Sequence, residues 1–204
     1  MKLNDLKSIL GKTDMYLIDM LQKGYFDKSL SVLDAGCGRG RNMWMLANLG
    51  HKIDACDQDE KSINDLKIKS ESLGFSQNQI NLRVGEIGNL PYNDGAFDLV
   101  ICNAVLHFAK DENHFAEMMK DMHRVVKKGG VLFARFVSSH TFENLAPKFN
   151  KTLPLPDGSN RFVVDKNWLV NELLPDVGFS LAEEFKTINV DGKRTMTTVI
   201  LRAK

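Results

Sequence analysis

The chain reads as an α/β protein: an open, mostly parallel sheet with helices on both faces, ending in an antiparallel hairpin. Three observations predict this. Short apolar runs of strand length alternate with segments of helical periodicity between residues 31 and 137. Gly36, Gly38 and Gly40 follow the first of those runs and precede a helical segment. Near the C-terminus, the strand-like stretches 179–190 and 194–202 flank Asp191-Gly192, a strong hairpin turn.

The elements follow in order. Residues 1–28 repeat an amphipathic helical spacing, with Leu6, Ile9 and Leu10 on one face and Tyr16, Leu17, Met20 and Leu21 on the next. Gly11 divides them. They are either helices packed on the core or a cover over a substrate site. Leu30, Val32 and Leu33 suit a strand buried on both faces. The glycine turn comes next, then a helix from Asn42 to about Leu49, stopped by Gly50. That helix is expected to aim its free N–H groups at the turn. A second strand runs from His51 to Cys56 and ends at Asp57, and a helix through Ile63, Leu66 and Leu73 closes at Gly74. The third strand, 80–84, leads to Gly85-Glu86, and 90–95 is rich in turn formers. The fourth strand is 97–102. A helix from Asp111 to Val126 ends on Lys127-Lys128-Gly129-Gly130, with cations in its last turn and glycine beyond. The fifth strand is 131–137. A loop carrying Pro147, Pro154, Pro156 and Gly158 leads to a helix near 165–174.

Composition narrows the function. At 204 residues the chain suits one domain, 1–204, with a core large enough to be stable alone. An apolar share of 43% and a charged share of 26% are those of a soluble globular protein. A net charge of +1 gives no electrostatic footprint for nucleic acid or an acidic membrane, so neither is expected as a partner. Cys37, Cys56 and Cys102 show no metal or disulfide spacing and read as buried reduced thiols, pointing to the cytoplasm. His107, His114 and His123 have no metal-ligand spacing, and no metal is expected. The first residues lack the apolar run of a signal peptide, and no stretch has transmembrane length.

In an open parallel sheet, ligands bind at the carboxyl ends of the strands. Here those ends carry Asp34 to Gly40, Asp57, Glu86 and Asn103. Asp57 stands at the distance from the glycine turn where a carboxylate accepts from both hydroxyls of a ribose. Two nucleotide cofactors suit such an acid. A dinucleotide such as NAD calls for G-x-G-x-x-G, and Arg41 occupies the third glycine position.

The residues 32–40, Asp57, Gly85-Glu86 before Leu90-Pro91-Tyr92, the run 97–103 and Lys127-Lys128-Gly129-Gly130 resemble, in order and spacing, the class I S-adenosylmethionine-dependent methyltransferases. More narrowly, Gly40-Arg41-Asn42 and the tail 193–202 resemble small bacterial tellurite-resistance and thiopurine-type methyltransferases. The resemblance implies a Rossmann-like seven-stranded sheet whose last strand is antiparallel. It implies S-adenosyl-L-methionine as cofactor. Asp34 and the backbone of Gly36, Cys37 and Gly38 would hold its methionine part, and Asp57 its ribose. Gln58 takes the place of an apolar residue beside the adenine. Glu86 and the Ile87 N–H would meet the adenine, and Asn103 would close over the methionine end. The domain then divides into an N-terminal helical cover (1–28), a cofactor-binding core (31–137), a substrate-side insertion (138–175) and a C-terminal hairpin (178–203).

Arg39 and Arg41 are either solvated or, for Arg41, a grip on a carboxylate. His107, just after the fourth strand, is either a packed histidine or a general base. Arg135 and His140 are candidates for substrate contact. The expected reaction is in-line transfer of a methyl group to a small-molecule acceptor. The alternatives are a module that binds the cofactor without catalysis, or an NAD-dependent oxidoreductase. The acceptor atom and the oligomeric state carry no sequence signal.

Overall fold

A computed structural model describes residues 3–139 and 150–204. The chain separates into two compact units, the first made of residues 1–86 and 97–101, the second of 87–96 and 102–204.

The first unit opens with helices α1 (Leu3–Leu10) and α2 (Met15–Gln22), broken at Gly11, whose φ of 55° ends a right-handed helix. Asp14 caps α2 by accepting from the Tyr16 N–H. Strand β1 (Ser31–Ala35) runs into the glycine turn and α3 (Met43–Asn48). Strand β2 (Lys52–Asp57), α4 (Glu60–Ser72), β3 (Ile80–Val84) and β4 (Phe97–Asn103) follow. The order β3-β2-β1-β4 is parallel, with β1 in the middle and buried at Val32 and Leu33. Because the strands are parallel and β1 is central, Asp34 and Asp57 both reach the same edge, at the carboxyl ends.

In the second unit, a single 3₁₀ turn (Leu106–Phe108) precedes α5 (Glu112–Val125). Strand β5 (Val126–Val137), a hairpin of β6 (Lys151–Pro154) and β7 (Asn160–Val163), then β8 (Phe179–Leu181), β9 (Lys186–Val190) and β10 (Arg194–Ala203) complete it. Strand β10 is antiparallel to β5 on one side and to β8 and β9 on the other. Phe115 of α5 packs on Phe136, Phe162 and Trp168, so aromatic contact joins α5 to β5 and β7.

Five expectations change. The stretch 179–190 is two strands, since Ala182-Glu183-Glu184 breaks the alternation and both halves pair with the long β10. Among the described residues, β1 to β4 lie in the first unit and β5, β8, β9 and β10 in the second, one strand more than the seven expected. Helix α5 ends at Val125, and Val126 is already extended, so Lys127 to Gly130 lie in β5. Two successive β-branched valines favour that switch. The proline-containing loop holds the β6–β7 hairpin, turned by Pro156-Asp157-Gly158. The helix expected near 165–174 runs from Lys166 to Val177, with a π-helical stretch at Leu169–Leu173. Pro147 and His140 lie outside the described residues.

Candidate functional site

The glycine turn is braced from within. The N–H groups of Gly36 and Cys37 both donate to the Cys56 carbonyl, at 2.8 and 2.9 Å. The Gly38 N–H donates to Asp57 Oδ2 at 2.8 Å, and that of Gly40 to the Cys37 carbonyl. Gly36, Gly38 and Gly40 all have positive φ. Two of them have separable reasons to be glycine. A Cβ on Gly40 would stand 2.7 Å from Leu66 Cδ2, so α4 packs directly on the turn. A Cβ on Gly38 would meet nothing within 4 Å, so Gly38 answers to backbone conformation and leaves its outer face open. The N–H groups of residues 36–38 are engaged internally.

Asp34 sits at the end of β1, 2% exposed, and its Oδ2 is buried with no hydrogen-bond partner. Burial pushes its pKa up to about 7, against the pull of Arg41 and with the push of Asp57. A buried carboxylate with a free oxygen is costly unless a cation or donor completes it. Asp57 is half-buried, with Oδ1 accepting from the Asp59 N–H at 3.0 Å and Oδ2 from Gly38. Each oxygen keeps a lone pair for a further donor. Gln58 and Glu86 are exposed at neighbouring strand ends. Cys37 is buried and its thiol is pushed up by desolvation and by Asp34, so it is inert rather than reactive.

Arg41 has a partner that sequence reasoning missed. Its Nη2 lies 3.3 Å from Asp14 Oδ2, and the Asp14 side chain is 1% exposed. The Asp14 N–H in turn donates to Asn42 Oδ1 at 3.1 Å. The start of α2 is thus tied to the turn through Asp14. Asn42 spends its side chain there and gives α3 no cap bond. The first N–H groups of α3 therefore receive no bond from its cap residue. A signal for this existed in Thr13-Asp14, a capping pair before an apolar run, but nothing in sequence said which distant residue would meet it.

In the second unit, Ile87 is buried and begins a segment fixed by a charged pair. Asp121, 8% exposed, accepts from the N–H groups of Gly88 (3.1 Å) and Leu90 (2.6 Å). Arg124 donates to Asp121, to the Leu90 and Tyr92 carbonyls and to Asp94. Asn103 ends β4 and is half-buried. Ala104 follows with φ 65°, its N–H donating to the Arg135 carbonyl at 2.8 Å. His107 is 6% exposed, with Nδ1 buried and unpartnered. Burial, helped by Arg161 and Arg194, lowers its pKa to about 4. It is neutral at pH 7, and a poor match for a base working there.

Among the described residues no group of three or more His, Cys, Asp or Glu could hold a metal ion. No described helix is long and apolar enough to cross a membrane.

A buried acid, an open-faced glycine turn and a second acid stand at the carboxyl ends of β1 and β2, where α/β sheets bind ligands. Residues 33–134 match the family described as "Methyltransferase domain", and the chain belongs to that family. It is 28% identical over 113 residues to the tRNA 5-carboxymethoxyuridine methyltransferase of Escherichia coli K12, covering 55% of this chain and 42% of that protein. It is 30% identical over 132 residues to the ribosomal protein L11 methyltransferase of Campylobacter lari, covering 65% and 43%. The match thus spans less than half the length of these curated relatives. The Burkholderia thailandensis 1,6-didemethyltoxoflavin-N1-methyltransferase, crystallised with S-adenosylhomocysteine, shares the fold with a TM-score of 0.72 at 15% identity, over 95% of this chain and 80% of that one. The fold is Rossmann-like, a mixed and mostly parallel sheet with an antiparallel C-terminal hairpin.

Proposed function

We propose that the chain is an S-adenosyl-L-methionine-dependent methyltransferase that moves a methyl group to a small-molecule acceptor. The observation that carries this reading is Asp34, a buried carboxylate with an unpartnered oxygen beside a turn whose N–H groups are already engaged. The methionine end of the cofactor brings an ammonium, the group such a site lacks. Asp57 holds the turn through Gly38 and keeps lone pairs for a ribose diol. Glu86, exposed at the next strand end, accepts from the exocyclic amine of the adenine in this reading. Gln58 lies beside Asp57 as the expected adenine neighbour.

The cofactor supplies an activated methyl group; the protein supplies position and electrostatics. Asp34 and Asp57 orient the donor. His107, neutral and short of basicity, fits an acceptor that arrives already deprotonated, or a hydrogen-bonding role, better than proton removal at pH 7.

The net charge of +1 favours a small acceptor over nucleic acid, although the relatives named above are a tRNA and a ribosomal-protein methyltransferase. The test is methyl transfer from labelled cofactor to thiols, phenols, amines and selenium or tellurium oxyanions, with bulk tRNA and ribosomal protein alongside. Labelling of a small acceptor supports the proposal, and labelling of tRNA or protein alone refutes the small-molecule half. Cofactor binding with no labelled product identifies a binding module without catalysis. NADH fluorescence on titration, with no affinity for S-adenosylmethionine, overturns the cofactor.

A further inference from the structure

The second unit carries a cationic, partly apolar surface that the cofactor reading does not use. Val137, Leu155, Val163 and Met196 form a buried cluster, and Ala104, Leu153 and Val190 pack on it while staying partly open. Arg161 faces this cluster. It pairs across the hairpin with Leu153 and lies two residues from Val163, so all three side chains share one face of the β6–β7 ribbon. Arg194 reaches the same cluster from β10, two residues before Met196 and opposite Val190.

The two arginines differ in what they hold. Arg194 Nη1 is matched by Asp157 Oδ2 at 2.7 Å, while its Nε is buried without a partner. Arg161 donates to the Asn160 carbonyl at 2.7 Å and lies 4.6 Å over the Phe108 ring. Among the described residues it meets no carboxylate. Among the described residues one positive charge is left unmatched. Phe108 is 58% exposed and adjoins His107, their ring centroids 4.8 Å apart. The Nδ1 of His107 also lacks a partner. A guanidinium on an aromatic face, a buried imidazole nitrogen and an apolar floor make a receptor for a flat, apolar molecule bearing one negative charge.

We propose that the methyl acceptor carries a carboxylate, received by Arg161 beside His107 and over Ala104, Leu153 and Val190. This rests on the methyltransferase reading for the word acceptor, but not for the binding itself. A single unmatched charge favours a monoanionic carboxylate over a dianionic phosphate. The fork of Arg161 suits two carboxylate oxygens. Arg194, already neutralised, adds a donor at Nε rather than a second full charge.

The experiment titrates wild-type and Arg161→Gln protein with benzoate, benzamide and phenyl phosphate by calorimetry, with and without S-adenosylhomocysteine. The same proteins are assayed for methyl transfer to 4-mercaptobenzoate and 4-mercaptobenzamide. Arg161 is half-exposed, so the variant keeps its fold, checked by unchanged melting. The wild type is expected to bind benzoate at least about tenfold more tightly than benzamide, and Arg161→Gln to lose that preference. The KM for the acid should rise by a similar factor with that for the amide unchanged. Arg161→Lys should recover only part of the loss. Equal binding of benzoate and benzamide by the wild type, or equal loss of both in the variant, overturns the proposal. Tighter binding of phenyl phosphate overturns the carboxylate. Failure of S-adenosylhomocysteine to bind removes the methyltransferase reading, while the benzoate titration still decides on Arg161.

Discussion

Asp34 is the residue on which most depends. Its pKa is raised to about 7 by burial, so the folded state holds the proton more tightly than the unfolded chain. Its contribution to stability is therefore present below about pH 4 and is lost as pH rises through about 7. Asp34→Asn removes that loss. Relative to wild type, the variant should gain stability between pH 5 and pH 8, by up to about 4 kcal/mol, in denaturant titrations without cofactor. The same change should weaken S-adenosylmethionine at pH 8. No relative gain would mean that the carboxylate is neutralised in some other way. Asp57→Ala should reduce cofactor affinity about thirtyfold or more while the protein stays folded, since two charge-assisted bonds are lost. Asp57→Asn, which keeps an acceptor for Gly38, separates loss of the turn from loss of the proposed ribose contact. Gly40→Ala places a methyl 2.7 Å from Leu66 at φ 72° and should cost about 1–3 kcal/mol.

At the scale of elements, two buried aspartates carry more than their positions in sequence suggest. Asp121 on α5 anchors the backbone at Gly88 and Leu90 and is held by Arg124. Asp121→Ala leaves two backbone donors and part of Arg124 unmatched. It should destabilise the protein by about 3–5 kcal/mol in urea titrations. Asp14 ties α2 to the glycine turn through Arg41 and Asn42. Arg41 is half-exposed, with its side chain 49% accessible, so the ion pair itself adds little. The cost of Asp14→Ala, roughly 1–2 kcal/mol, comes from the lost cap on the Tyr16 N–H, since the backbone N–H at position 14 still donates to Asn42. A cost within error of zero would mean that α2 is held by its apolar face alone, through Leu17 and Met20.

For the molecule as a whole, cofactor binding and pH should act through the same few groups. A ligand that binds only the folded protein adds about 2.7 kcal/mol at a hundred times its Kd. S-adenosylhomocysteine should therefore raise the melting temperature of wild type and leave Asp57→Ala nearly unmoved. On the acid side, burial lowers the pKa of His51 and of His107, the latter to about 4. Both contribute stability that is complete above about pH 6.5; that of His107 is lost as pH falls through about 4, and that of His51 is lost on acidification below its ordinary value. Over that range Asp34 acts in the opposite sense, so the Asp34→Asn protein should show the steeper acid loss.

The order of elements from residue 31 to 103 was legible because alternation of buried strands with helical periodicity is a local signal. The glycine turn and Asp57 were legible for the same reason, since their spacing is fixed by one strand-helix-strand unit. The β6–β7 hairpin was not, because Pro154, Pro156 and Gly158 read as loop until pairing with Asn160 to Val163 gives the strand its partner. The strand 179–190 looked continuous because β10, which pairs with both halves, is distant in sequence. The sequence by itself determined the family, the parallel core and the residues at its strand ends. Only the tertiary structure decided that Arg41 answers to Asp14, that Asp34 is left one partner short, and that Arg161 and Arg194 meet one apolar cluster. Each of these joins side chains brought together by packing between elements. Burial and pairing across such distances have no period for a sequence to carry.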